Sequence, residues 1–182
     1  MKVIKAKTAG FCFGVKRAVD TVYKQVDTKC GQIYTYGPII HNEEVIKDMR
    51  DKGVIVLRSE EDLDMISQGT VIIRSHGVEK RIYEKIEQKG LRIVDATCPF
   101  VKKIHNIVSE KSGEGFHIII IGNPEHPEVV GIKGWAKDNV TVIQSAEDAE
   151  CFTADRKEKI CIVSQTTFNY NKFKDLVEII SE

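Results

Sequence analysis

Two cysteines head two matching segments of the chain. Cys12 begins the run CFGVKR and Cys98 begins the run CPFVKK, so that each is followed by apolar and then by basic residues. A free cysteine is most often a small buried apolar residue. A thiol beside cationic side chains and at the amino end of a helix, however, ionises readily and serves as a metal ligand or nucleophile. Because the pattern occurs twice, it favours the chemical interpretation for both cysteines.

A second pair of matching segments carries a histidine and an acidic residue. The run GPIIHNE contains His41 and Glu43, and the run GNPEHPE contains His126 and Glu128. A histidine beside a carboxylic acid can exchange protons near neutral pH. The spacing alone does not decide whether Glu43 or Glu128 is the chemical group, because an acid at the start of a helix also stabilises the helix dipole.

The apolar runs that follow also end in matching polar residues. His76 follows the first run within RSHG, and Thr166 and Thr167 follow the second run within QTT. Serine and glycine often form turns, and threonine often caps a helix. The position of these residues directly after a buried strand nevertheless favours a functional site over a simple turn or cap.

Short β-branched runs alternate with helical patterns through both copies, which predicts parallel βα units of the α/β class. The spacing predicts strands over residues 3–7, 32–36, 54–57, 70–74, 91–95, 117–121, 140–143 and 160–163. It predicts helices over residues 15–26, 43–51, 60–67, 79–89 and 170–180. The repeat indicates two domains, residues 1–90 and residues 91–182, from two tandem copies of a small parallel-sheet unit.

The matched polar residues fall between a strand and a helix, at the carboxyl edge of a parallel sheet, where ligands of α/β proteins bind. We therefore expect the two cysteines to converge on one centre. The remaining cysteines and histidines have no match in the other copy, and we expect them to be structural or surface residues. They are Cys30, Cys151, Cys161, His105 and His117.

Composition excludes several classes of function. The 182 residues include 27 basic and 27 acidic side chains, so the formal net charge is zero. A chain without excess positive charge is disfavoured as a partner of nucleic acid or of an anionic membrane. Five cysteines without a CxxC pair argue against disulfides and against common zinc motifs. The longest apolar runs are too short to span a membrane, and residues 1–7 lack the apolar region of a signal peptide. A cytoplasmic protein is the expectation.

Six motifs, in order along the chain, resemble the 4-hydroxy-3-methylbut-2-enyl diphosphate reductase family. They are AGFCFGV at residues 9–15, HN at 41–42, SHGV at 75–78, DATCP at 95–99, HPEV at 126–129 and QTT at 165–167. The resemblance implies three α/β domains with pseudo-threefold arrangement around a 4Fe-4S cluster. It also implies reductive dehydroxylation of an allylic diphosphate to isopentenyl and dimethylallyl diphosphates, the last step of the non-mevalonate isoprenoid pathway. A ferredoxin or flavodoxin would be the electron donor.

The resemblance also implies site roles for eight residues. Cys12 and Cys98 would be cluster ligands, and His41, His76 and His126 would contact the diphosphate. Glu128 with His126 would deliver protons. Thr166 would position the substrate hydroxyl, and Thr167 would help bind the substrate. A cluster held by three protein thiolates has one iron without a protein ligand, and this iron is open to the substrate oxygen.

The family pattern also includes a third cysteine, a Ser-x-Asn segment and a further serine in a third domain, and these are absent here. We therefore expect this chain to be the first two of three domains and to be inactive alone. Two alternatives remain at this point. One is a zinc site built from Cys12, Cys98 and one histidine, and the other is a non-catalytic remnant that binds a diphosphate or a partner protein.

Overall fold

The computed structural model describes residues 2–7, 9–28, 31–155 and 157–181 and confirms the α/β class. Cys30 lies outside the described residues. The helices are α1 (Phe13–Thr28), α2 (Glu43–Asp51), α3 (Glu60–Asp64), α4 (Lys80–Gln88), α5 (Pro99–Gly113), α6 (Pro127–Lys133), α7 (Ala146–Cys151) and α8 (Tyr170–Ser181). The strands are β1 (Ile33–Tyr36), β2 (Ile55–Leu57), β3 (Thr70–Ile73), β4 (Arg92–Asp95), β5 (His117–Ile121), β6 (Val140–Ile143) and β7 (Ile160–Ser164).

The chain divides into two compact units. The first comprises Met1–Ser75 and Arg92–Cys98, and the second comprises His76–Leu91 and Pro99–Glu182. The first unit is thus discontinuous in sequence. Cys98 lies in the first unit, although the repeat assigns it to residues 91–182.

The first unit is built on a parallel sheet with strand order β2-β1-β3-β4. All four residues of β3 are buried, as expected of an inner strand covered on both faces. Helix α1 packs its apolar side against this sheet, where Ala18 and Val22 are fully buried with Ile72 and Ala96. Helix α2 starts at the cap Asn42, whose side chain accepts a hydrogen bond from the backbone N–H of Val45.

The second unit contains a parallel sheet with strand order β6-β5-β7. The isoleucines of β5, residues 118–121, are all inaccessible to solvent because α5 and α6 cover one face and α7 and α8 cover the other. Ser145 and Asp148 form a reciprocal capping box at the start of α7.

Three sequence expectations differ from the structure. The repeat places the strand predicted over residues 91–95 in the second copy, but this strand, β4, pairs with β3 through Ile93 and Val94 and completes the first sheet. Residues 3–7 form no strand and are exposed. The helix predicted over residues 60–67 ends at Asp64, and Met65 follows as its cap. No helix among the described residues is long and apolar enough to cross a membrane.

Candidate functional site

The two candidate cysteines lie in the first unit. Cys12 is exposed, and its backbone carbonyl accepts a hydrogen bond from Lys16 at 2.9 Å, next to the start of α1. Gly14, two residues further on, packs directly against Cys98. A Cβ added to Gly14 would lie 2.6 Å from the Cys98 Sγ atom. The absence of a side chain at residue 14 therefore allows the segment after Cys12 to approach Cys98 closely.

Arg17 of α1 holds the loop that precedes Cys98. Its guanidinium donates to the backbone carbonyl of Thr97 at 2.8 Å and to that of Asp95 at 3.3 Å. The Asp95 carboxylate accepts a hydrogen bond from the backbone N–H of Thr97 at 2.9 Å. The helix after Cys12 and the loop before Cys98 are thus joined by hydrogen bonds as well as by packing.

Ser75 joins the loop that leads to His41 to the Cys98 segment. Its hydroxyl donates to the carbonyl of Ile39 at 3.0 Å, and its own carbonyl accepts from the N–H of Cys98 at 2.9 Å. Ser75 is buried, whereas His41 is exposed directly before the cap of α2. The first unit therefore ties the loops that carry Cys98 and His41 together at the carboxyl ends of β1, β3 and β4.

The second unit places Glu128 and Thr166 in direct contact. Glu128 lies in the first turn of α6 and is only 1% exposed. Its carboxylate accepts hydrogen bonds from the Thr166 backbone N–H at 2.6 Å and from the Thr166 hydroxyl at 2.9 Å. An acid in the first turn is the expected partner of a helix dipole, but here both oxygens point to the loop after β7. The carboxyl is therefore held in one orientation.

His126 caps the same helix. Its Nδ1 atom accepts a hydrogen bond from the backbone N–H of Glu128 at 3.1 Å. Because Nδ1 acts as an acceptor, the neutral ring carries its proton on Nε2 and can donate from that side. The His76 ring packs edge to face on His126, with centroids 5.4 Å apart. His76, His126, Glu128 and Thr166 thus form one cluster within the second unit.

Gln165 is a site residue that the sequence analysis did not single out. Its side chain accepts from the N–H of Asn123 at 3.3 Å and donates to the hydroxyl of Thr167 at 2.9 Å. A Cβ on Gly122 would lie 3.0 Å from the Cβ of Gln165. Gln165 therefore connects the loop after β5 to the loop after β7. In the sequence, Gln165 is indicated only by its place in the motif QTT, where the threonines are the residues that match the other copy.

The histidines expected to be structural have structural surroundings. His105 is 1% exposed and stacks on Trp135 with ring centroids 5.1 Å apart. His117 lies 2.9 Å from a Glu158 carboxylate oxygen and 2.8 Å from the Thr141 hydroxyl, so it links β5 to β6 and to the segment before β7.

The two other described cysteines lie apart from these contacts. Cys151 is exposed at the end of α7. Burial raises the pKa of the Cys161 thiol in β7, against an opposing effect of the Lys111 charge. A raised pKa disfavours the thiolate form that binds metals.

Cys12 and Cys98 suit part of an iron–sulfur ligand set. Such clusters are held by cysteine thiolates that come from loops of a folded scaffold. Because Gly14 has no side chain, the segment that follows Cys12 lies directly against the Cys98 sulfur. The residues present therefore fit two of the ligands of a cluster.

The fold and these clusters define an α/β protein of two parallel-sheet units, each with cysteine, histidine or carboxylate groups at the carboxyl ends of its strands. The sequence profile of the LytB protein family matches residues 3–182. The chain belongs to the LytB family.

Curated relatives carry one name. The chain is 48% identical over 182 residues to the 4-hydroxy-3-methylbut-2-enyl diphosphate reductase of Thermoanaerobacter sp. (strain X514), covering 99% of this chain and 62% of the relative. It is 42% identical to the protein of the same name from Clostridioides difficile (strain 630), covering 100% of this chain and 64% of the relative. The chain thus spans less than two thirds of the length of these relatives.

Solved structures agree with the family. The E-1-hydroxy-2-methyl-but-2-enyl-4-diphosphate reductase from Plasmodium falciparum aligns with a TM-score of 0.89 and 30% identity, covering 96% of this chain and 54% of that one. A structure of (E)-4-hydroxy-3-methyl-but-2-enyl diphosphate reductase, described as the terminal enzyme of the non-mevalonate pathway, aligns with a TM-score of 0.81 and 37% identity. It covers 98% of this chain and 63% of that one.

Proposed function

We propose that this chain supplies two thirds of a 4-hydroxy-3-methylbut-2-enyl diphosphate reductase. The observation that carries the proposal is the buried Glu128 carboxyl, held by two hydrogen bonds from Thr166 beside His126. The relatives that match nearly the whole chain bear the name of this reductase. Oriented acid, hydroxyl and imidazole groups are what proton delivery to a departing hydroxyl requires.

The reaction consumes two electrons and two protons. The allylic C–O bond breaks, the hydroxyl group leaves as water with one proton, and the second proton forms a new C–H bond. The products are isopentenyl and dimethylallyl diphosphates. When bound, a 4Fe-4S cluster would supply the electrons and an open iron corner that acts as a Lewis acid toward the hydroxyl.

In this proposal Glu128 passes a proton to the departing oxygen. Thr166 fixes the carboxyl and would position the hydroxyl group of the substrate beside it. His126 would donate to a diphosphate oxygen from Nε2, because Nδ1 accepts the hydrogen bond of the helix cap. His41 and His76 would add further donors to the diphosphate, and Thr167, positioned by Gln165, would bind the substrate nearby.

Cys12 and Cys98 would hold the cluster from the first unit. Two thiolates are fewer than a cluster of this type takes, and the relatives are longer than this chain. We infer that the remaining ligand and part of the diphosphate site belong to sequence that those relatives have in addition. A ferredoxin or flavodoxin in the cytoplasm would deliver the electrons.

Metal analysis after anaerobic reconstitution tests the proposal. With a small thiol added in place of the remaining ligand, we expect the chain to bind iron and sulfide and to show the absorbance of an iron–sulfur cluster. The variants Cys12→Ser and Cys98→Ser should lose most of this iron. Cys151→Ser is the matched control, because Cys151 is an exposed thiol on α7 and should leave the iron content unchanged.

Three outcomes would contradict the proposal. Zinc without sulfide would favour a mixed cysteine and histidine zinc site. An equal loss of iron in all three variants would indicate nonspecific thiol binding. A chain that binds a diphosphate without any metal would point instead to a non-catalytic binding protein.

A further inference from the structure

A cavity of about 640 Å³ lies at the carboxyl edge of the first sheet, within the first unit. Three adjacent strands end at it, because Gly37 follows β1, Arg58 follows β2 and Arg74 follows β3. Helix α2 forms another wall. Ligands of open parallel sheets bind at this edge, and the volume is in the range of small-molecule sites.

The cavity is lined by more cationic than anionic side chains. Lys47 and Arg50 of α2 join Arg58 and Arg74, whereas the acids of the lining are Glu43 and Glu44. Within the described parts of the chain, the side chains of Lys47, Arg50 and Arg58 form no ion pair or hydrogen bond. Three cations next to two carboxylates and without a salt bridge remain available to an anionic ligand.

Arg74 is the most buried of these cations. Burial lowers the pKa of its guanidinium, and the group remains charged at neutral pH. Its side chain lies against Gly37, where an added Cβ would come within 2.7 Å of Nη1. Gly37 also has a φ of +73°, which favours glycine. The turn after β1 thus leaves space for a guanidinium at the cavity wall.

The rest of the lining suits an organic group. Pro38, Ile46 and Val56 contribute apolar surface between the arginines and the helix. Guanidinium groups bind phosphate oxygens in pairs, and a lysine adds a point charge. A ligand with a diphosphate at one end and an apolar or ring-bearing body at the other would match both parts of the cavity.

We propose that this cavity, whose lining includes none of the candidate cysteines and histidines, binds an organic diphosphate. Cys12, Cys98 and His41 belong to the same unit, and none of them lines the cavity. Two sources share the required chemistry, a nucleoside diphosphate and an isoprenoid diphosphate. The proposal does not depend on the reductase activity.

Amide shift mapping by NMR tests the site residue by residue. The ¹⁵N-labelled chain is titrated with inorganic pyrophosphate, with ADP and with isopentenyl diphosphate. We expect the amides of Gly37, Glu43, Arg58 and Arg74 to shift, and we expect the two organic ligands to bind more tightly than pyrophosphate. The tighter of the two identifies the source.

The double variant Arg50→Gln/Arg58→Gln removes two exposed cations and should weaken binding at least about tenfold. Arg92→Gln is the matched control, because Arg92 is an exposed arginine at the opposite end of the same sheet and should bind as the unmodified chain does. Iron binding by the same variants is expected to remain unchanged.

Three results would overturn the proposal. One is the absence of shifts around the cavity at millimolar ligand. A second is shifts confined to the loops of His126 and Thr166, which would place the ligand in the proposed substrate site. The third is equal weakening by Arg92→Gln, which would indicate a general charge effect.

Discussion

Replacing Gly14 by alanine tests whether α1 must approach Cys98 as closely as the structure shows. The new methyl group would lie 2.6 Å from the Cys98 Sγ and 3.2 Å from its Cβ. Nonbonded heavy atoms pack at roughly 3.5–4.0 Å, so the helix or the cysteine must move by about 1 Å. Overpacking of this kind costs about 1–3 kcal/mol.

Gly113→Ala is the matched control. Gly113 also lies in a helix, at the end of α5, and an added Cβ would meet no atom within 4 Å. Alanine has a higher helix propensity than glycine, by up to about 1 kcal/mol, so this effect raises the free energy of unfolding at both positions. The difference in unfolding free energy between the two variants therefore isolates the contact with Cys98.

Urea and thermal unfolding followed by circular dichroism measure this difference. For a chain of this size, about 1 kcal/mol changes the melting temperature by roughly 2–4 °C. We expect Gly14→Ala to melt below Gly113→Ala and to bind less iron after reconstitution. If both variants melt at the same temperature and bind equal iron, the close approach of α1 to Cys98 is not required and the reasoning fails.

Three further predictions concern other contacts. Thr166→Val removes the hydroxyl donor to Glu128 and should lower the unfolding free energy by about 1–2 kcal/mol, while Thr166→Ser retains it; equal urea midpoints for the two variants would contradict this. The hydrogen bond to Asp48 raises the pKa of Tyr23 to about 12, with burial and the Asp48 charge acting in the same direction. The contribution of this hydrogen bond to the free energy of unfolding is therefore complete below pH 10, near which the tyrosine of the unfolded chain ionises, and it is lost as the pH rises through 12. The free energy of unfolding of Tyr23→Phe should decline less steeply over this range. Trp135→Phe removes the indole donor to a backbone carbonyl at 2.9 Å and should cost about 1 kcal/mol, measured by thermal unfolding against the unmodified chain.

Local sequence signals predicted most of the elements. Helix α2 and strands β5 and β6 match the expected bounds, because a capping residue, glycine turns and β-branched runs mark them clearly. Residues 3–7 also have a strand-like composition, but they pair with no strand among the described residues. Strand formation depends on a neighbour, and composition does not supply one.

The repeat predicted where the candidate residues lie better than it predicted how they are held. Its histidines at residues 41, 76 and 126, Glu128 and Cys98 lie after a strand, where the pattern placed them, whereas Cys12 precedes α1 and follows no strand among the described residues. Arg17, Ser75 and Gln165 support them by binding loops that are distant in sequence, and two of the three bind backbone carbonyl groups there. Every residue has a backbone carbonyl, so the residue types and their spacing in the sequence do not predict which carbonyl accepts such a hydrogen bond.

The position of β4 has a consequence for biosynthesis. The first sheet is complete only when residues 92–95 have left the ribosome, by which time helix α4 of the other unit has already been made. Until then β3, whose four residues are buried in the finished protein, has an unpaired edge. A break at residue 90 would therefore yield two fragments, neither of which contains a whole folding unit.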